Sequence, residues 1–129
     1  MLNKMANEAR KSIIKMIYEA KSGHPGGSLS CIDILMYLYQ KELKLTKDNI
    51  NSNERNKLVL SKGHGAPALY AVLKEMKVLD EKELMTFRKI NSSLQGHPNM
   101  NDTKGVDMST GSLGQGISAA VGITLANKY

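Results

Sequence analysis

All three histidines of the chain follow a glycine: "SGHPGGS" spans residues 22–28, "KGHG" 62–65 and "QGHP" 95–98. Glycine admits backbone angles closed to other residues and proline fixes its own φ, so each motif bends the chain where no regular helix or strand can hold the imidazole. His24, His64 and His97 are therefore expected on loops. The text between these motifs does not align, which rules out a repeat array.

The bends separate segments with clear periodicity. Met5, Ala6, Ala9, Ile13, Met16, Ile17 and Ala20 recur at helical spacing and predict an amphipathic helix from about Leu2 to Lys21, ending at Gly23. Ser30 and Asp33 form a capping-box pattern ahead of Ile34, Leu35, Leu38 and Tyr39, which predicts a second helix to about Leu43. The polar connector "KDNINSNERN" follows, and then "KLVLS" at 57–61 reads as a short buried strand delivering the His64 loop. Pro67 suits the first turn of a helix reaching about Met76, with Leu69, Val72, Leu73 and Met76 inward. Asp80 and Glu83 cap a shorter one to about Lys89. Residues 90–114 read as a long loop, a length that calls for a functional reason. "QGISAAVGITLANKY" closes the chain as a helix that is apolar on almost every side, the pattern of burial all round. Strand, loop and helix around His64 resemble the ligand end of an open α/β sheet, so the expected class is α/β, mostly helical, with one clear buried strand.

At 129 residues one domain is the default. The formal charge of +6 invites polyanions. The basic residues, however, are scattered singly and aromatics are few, which argues against nucleic acid and suits a solvated surface or a site for small phosphorylated ligands. No apolar run approaches a membrane span, and the charged start lacks the apolar stretch of a signal peptide, so no membrane role and a cytoplasmic setting are expected. The lone Cys31 cannot staple a domain and is expected to pack.

Each motif keeps a plain reading beside a chemical one. A single glycine-flanked histidine is ordinarily a loop residue bonded to backbone, but three together with none elsewhere point to a shared site. Three histidines also admit a zinc centre, although no HxxxH or CxxC pattern accompanies them. In "TGSLGQG", residues 110–116, the glycines let backbone N–H groups approach a ligand at the start of the last helix, and the spacing is not that of a dinucleotide fingerprint.

"SGHPGGSLSCIDILMYLY", "LSKGHGAPALYAVL", "QGHP" and "STGSLGQGISAAVGITLANK", in this order and at these separations, resemble the N-terminal portion of transketolase. The resemblance covers about Ala9 to Lys128. Related deoxyxylulose-phosphate synthases carry a different text at the glycine turn. Ser112, where many full-length transketolases have proline, is similar to the pattern of transketolases split into two polypeptides.

The resemblance implies the thiamin-diphosphate-binding α/β fold, with residues 1–129 a truncated N-terminal domain. It also implies transfer of a two-carbon ketol unit from a ketose phosphate to an aldose phosphate. The cofactor supplies the electron sink and the protein supplies proton transfers and orientation. His24 and His97 would face the donor's hydroxyl and carbonyl oxygens as catalytic groups, and His64 would lie near the diphosphate. Gly111, Ser112 and Leu113 would contact the cofactor rings through their backbone, with Leu113 helping to hold the cofactor bent; Leu113 as plain core and His97 as a loop wall are the plainer alternatives. The family's Gly-Asp-Gly motif and following Asn, which bind Mg2+, and the glutamate that activates the aminopyrimidine are missing here. No metal ligand is assigned within the chain. The implied partners are sugar phosphates and a C-terminal transketolase domain or subunit, in a homo- or hetero-oligomer, and the isolated chain is expected to be inactive. A non-catalytic interaction remnant and a small histidine-based metal-binding protein are the competing classes.

Overall fold

The computed structural model describes residues 2–128. Among these it contains six α-helices: α1 (Leu2–Ala20), α2 (Pro25–Leu29), α3 (Ile32–Tyr37), α4 (Ala66–Glu75), α5 (Glu81–Leu84) and α6 (Gln115–Ala126). A π-helical turn, Leu38–Glu42, prolongs α3, and a 3₁₀ turn, Gly63–Gly65, leads into α4. None of the helices is long and apolar enough to cross a membrane.

The α1 stripe forms as its spacing dictates, with Ala6, Ala9, Ile13 and Met16 buried. It packs on α4 and α3. Every residue of α4 from Ala66 to Leu73 is buried, so α4 is the central helix, surrounded by α1, α2, α3 and α5. Tyr39, Phe87, Leu84 and Leu94 complete the core, each fully buried large side chain contributing about 1.5–3 kcal/mol. The Asp80 and Glu83 capping box at α5 forms as read, with both reciprocal hydrogen bonds present, although α5 ends at Leu84 rather than near Lys89.

The expected α/β class is corrected: among the described residues there is no β-strand, and the fold is all-helical. Residues 57–60 form no strand ladder because no second segment pairs with them. Their backbone is met by side chains instead. Leu58 N–H donates to the Asp107 carboxylate at 2.9 Å, and the Thr110 hydroxyl donates to the Leu60 carbonyl at 2.7 Å. A strand exists only as a pairing, and the apolar run records burial without specifying a partner. The likeness of the His64 loop to the ligand end of a sheet falls with it.

Other expectations also yield. Pro25 starts the short helix α2, inside a motif read as irregular, since proline at the first position loses no needed N–H. The Ser30/Asp33 cap does not form, and Cys31 stands at the α3 N-terminus without a side-chain cap. The Asp33 carboxylate pairs with Arg10, and Ser30 Oγ donates to the Gly27 carbonyl at 3.2 Å. Cys31 packs half-buried against the core. In α6, the helix expected to be buried all round, only Gly116 is buried, and Ile117, Val121 and Leu125 are exposed. Gly116 lies against Ser61 so closely that a Cβ would come 2.6 Å from the Ser61 Cα.

Candidate functional site

Four segments meet at one end of α4. The first begins with Gly23 at φ +151°, where a side chain would also strike Ile17. His24 follows as the residue capping α2, with no side-chain cap bond, so its exposed ring is free to face outward. That ring stands edge-on to His64, with centroids 5.5 Å apart and planes at 64°. His64 sits half-buried in the 3₁₀ turn before α4. A Cβ on Gly27 would come 3.0 Å from its Cδ2, so the α2 backbone backs directly onto the imidazole.

His97 arrives from the other side, on a loop held by α4. The Tyr70 hydroxyl donates to the Gln95 carbonyl at 2.9 Å and lies 3.3 Å from the His97 carbonyl oxygen. Burial pushes the Tyr70 pKa up to about 12, opposed by Thr103 and Arg88, so the hydroxyl keeps its proton. The Thr110 N–H donates to the Pro98 carbonyl at 3.3 Å, which fastens this loop to the glycine turn. A Cβ on Gly111 would lie 3.6 Å from the His97 ring. Gly63, one residue before His64, meets the same turn: its Cβ would fall 2.7 Å from the Thr110 carbonyl oxygen. His24, His64, His97 and Gly111 are thus brought together through successive contacts.

The turn then opens outward. Ser112 and Leu113 are exposed, Leu113 at 68%, so Leu113 is not a core residue. Gly114 at φ +90° turns the chain into α6. The N–H groups of Gly111, Ser112 and Leu113 meet no acceptor among the described residues. Behind the turn a cleft of about 320 Å³ is lined by Thr110, Gly111, Ser112, Gln115 and Gly116 among others. Two larger open clefts, about 650 and 660 Å³, adjoin the 53–57 segment and the 100–108 loop, and neither is lined by a histidine. No group of three or more His, Cys, Asp or Glu among the described residues is disposed to hold a metal ion.

The residues that hold these loops escape the motif reading. Arg55 and Asp107 form an ion pair with side chains only 7% and 4% exposed, and Arg55 also donates to the Ile50 carbonyl at 2.9 Å. This pair clamps the connector onto the segment that leads to the glycine turn. Arg88 and Tyr70 do the same for the His97 loop. One signal was present: of 18 basic residues only three are arginines, Arg10, Arg55 and Arg88. Each makes a hydrogen bond across more than twenty residues of sequence, and Arg55 grips both oxygens of the Asp107 carboxylate, a fork geometry that an ammonium lacks.

The family described as "Transketolase, thiamine diphosphate binding domain" matches residues 1–129. A 6-deoxy-6-sulfo-D-fructose transketolase subunit of Clostridium sp. (strain MSTE9) is 46% identical over 97% of this chain and 46% of its own length. An apulose-4-phosphate transketolase subunit from Phocaeicola vulgatus is 35% identical over 98% of this chain and 45% of its own. The crystal structure of transketolase from Campylobacter jejuni superposes with a TM-score of 0.84 at 38% identity, over 94% of this chain and 19% of that one. The chain therefore spans a little under half of the first two relatives and about a fifth of the solved structure. With the glycine-histidine loops converging on one turn and the family matched along all 129 residues, the chain belongs to the transketolase thiamine diphosphate binding domain family.

Proposed function

We propose that this chain supplies the N-terminal, diphosphate-side part of a transketolase that moves a two-carbon ketol unit from a ketose phosphate to an aldose phosphate. The convergence of His24, His64, His97 and the 110–113 turn supports this reading above all. The site fits a thiamin diphosphate on two counts. The N–H groups of Gly111, Ser112 and Leu113 are left without acceptors among the described residues, and glycines at 27, 63 and 111 let the three histidine loops and the glycine turn approach one another closely enough to act on one ligand.

His64, Gly111, Ser112 and Leu113 would hold the cofactor, which when bound supplies the electron sink for breaking and remaking a carbon–carbon bond. His24 and His97 are exposed on either side. From there their imidazoles would take and return protons at substrate hydroxyl and carbonyl oxygens. The exposed lysines and the net charge of +6 favour anionic sugar phosphates. Magnesium would take its ligands from sequence outside these residues, and the activating glutamate from a partner domain or subunit, in keeping with the two relatives that are named as subunits. The lone, unpaired thiol agrees with a cytoplasmic setting.

The test is assembly with the segment that carries the magnesium ligands and with a glutamate-bearing partner, followed by calorimetric titration of thiamin diphosphate with magnesium and an assay of ketol transfer. His64→Ala should weaken cofactor binding by roughly 1.5 to 3 kcal/mol, the worth of a hydrogen bond to a charged group. His24→Ala and His97→Ala should leave cofactor affinity in place and lower turnover about 10²-fold or more. Unchanged affinity in the first, or normal turnover at saturating substrate in the others, would remove those residues from their assigned roles. One tightly held zinc per chain would instead favour the metal-binding class.

A further inference from the structure

We propose that Arg88 is a positioning residue that couples the His24 loop to the His97 loop, by bonding Ser22 while its guanidinium lies flat on Gly96. The catalytic meaning of this bridge rests on the function proposed above; the bridge itself does not.

Two loops far apart in sequence carry the exposed histidines, and Arg88 touches both. Its Nη1 donates to Ser22 Oγ at 3.1 Å, two residues before His24. A Cβ on Gly96 would stand 2.7 Å from the Arg88 Cζ and Nη2, so the guanidinium plane covers the residue next to His97. The base of the side chain is itself fixed. Arg88 N–H donates to the Leu94 carbonyl at 2.8 Å, closing the loop that leads to Gln95. Phe87, buried beside Tyr70 with ring centroids 6.2 Å apart, lies 5.5 Å from the Arg88 Cζ.

Arg88 occupies this place against local preference. Its φ is +60°, a region that residues other than glycine seldom visit, and its Nε is buried without a hydrogen-bond partner. A buried unpaired donor and a left-handed backbone are each unfavourable, and such features persist where the surroundings over-determine them and gather at functional sites. A residue needed only to cover the core would not require a charged head, and lysine could not both reach Ser22 and lie flat on Gly96.

The bridge predicts cross-talk. The chain has only three histidines, so their ring Cε1–H signals can be followed one by one by NMR. Ser22→Ala, on the His24 loop, should move or broaden the His97 signal, and Gly96→Ala, which pushes the guanidinium off its seat, should do so for His24. In an Arg88→Lys background both effects should vanish while thermal unfolding stays cooperative. Absence of cross-talk with Arg88 present, or its persistence in Arg88→Lys, overturns the proposal. In the assembled enzyme, Arg88→Lys should lower turnover about tenfold to a hundredfold with cofactor affinity unchanged, as expected when reacting groups are misplaced by about an ångström. If the wild-type assembly transfers no ketol unit, the functional reading fails, and the NMR result still decides the bridge.

Discussion

Gly63 presses on the Thr110–Gly111 peptide so closely that a methyl on its Cα would lie 2.7 Å from the Thr110 oxygen and 2.8 Å from the Gly111 nitrogen. Both neighbours are backbone and cannot swing aside as a flexible side chain would. Gly63→Ala must therefore move the histidine turn and the glycine turn apart. The expected cost is about 1–3 kcal/mol, as for other overpacked sites, read as a lower urea midpoint. Gly26, with nothing within 4 Å of its Cβ position, provides the control, and Gly26→Ala should be close to neutral. Equal midpoints for the two variants would mean that the close approach is absent in solution.

The Arg55–Asp107 pair is almost wholly removed from water. Breaking a buried pair from one side strands the other charge, so Asp107→Asn should cost about 3–5 kcal/mol even though the new amide can still accept from Leu58 N–H. The double variant Arg55→Met, Asp107→Leu carries no stranded charge and should recover part of that loss. Denaturant titration of the three proteins is the measurement. A double variant as unstable as Asp107→Asn would show that the charges matter less than the carbonyl and amide contacts around them.

Local signals in the sequence were reliable where the partner lay within a few residues, and failed where it lay far away. Asp80 and Glu83 cap each other across three residues, and Pro67 starts its helix, both as read. Ser30 and Asp33 present the same cap pattern, but Arg10, 23 residues away in sequence, takes the Asp33 carboxylate. The leucines and valine at 58–60 have strand composition, yet pairing depends on a second segment that the local text does not encode. The three histidines and the glycine turn were legible as one constellation because glycine beside histidine is conspicuous. Tyr70 and Arg88, which fix that constellation, look like an ordinary core aromatic and an ordinary surface cation until their partners at 95–97 and 22 are known.

Along α6, Ile117, Val121 and Leu125 lie four residues apart on one face and are 66%, 54% and 53% exposed. An apolar strip of this kind promotes association, so the chain alone should scatter light as more than a monomer at micromolar concentration and above. Replacing all three with lysine should restore a monomer. Since none of them is in the core, each change should alter stability by no more than about 0.5 kcal/mol. Persistent association of the triple variant would place the sticky surface elsewhere.

The hydroxyl of Tyr70 links stability to alkaline pH. Tyr70 is fully buried, and burial raises its pKa from the usual 10 to about 12. The unfolded chain gives up this proton near pH 10, whereas the folded chain keeps it to about 12. The contribution is therefore complete below pH 10 and is lost as pH rises from about 10 to 12, at up to about 1.4 kcal/mol per pH unit. Tyr39, raised further by burial and by the Asp107 charge, acts in the same direction. Lysine deprotonation also falls in this range, so the informative quantity is a difference between two proteins. Tyr70→Phe should be less stable at neutral pH by about 0.5–1.5 kcal/mol, through loss of the hydrogen bond to the Gln95 carbonyl. Its stability should then fall less steeply than the wild type's above pH 10, and because the wild type loses more than about 2 kcal/mol by pH 12 the two curves should cross before that pH. Urea midpoints for both proteins from pH 8 to 12 give the answer, and parallel curves would mean that Tyr70 ionises as easily folded as unfolded.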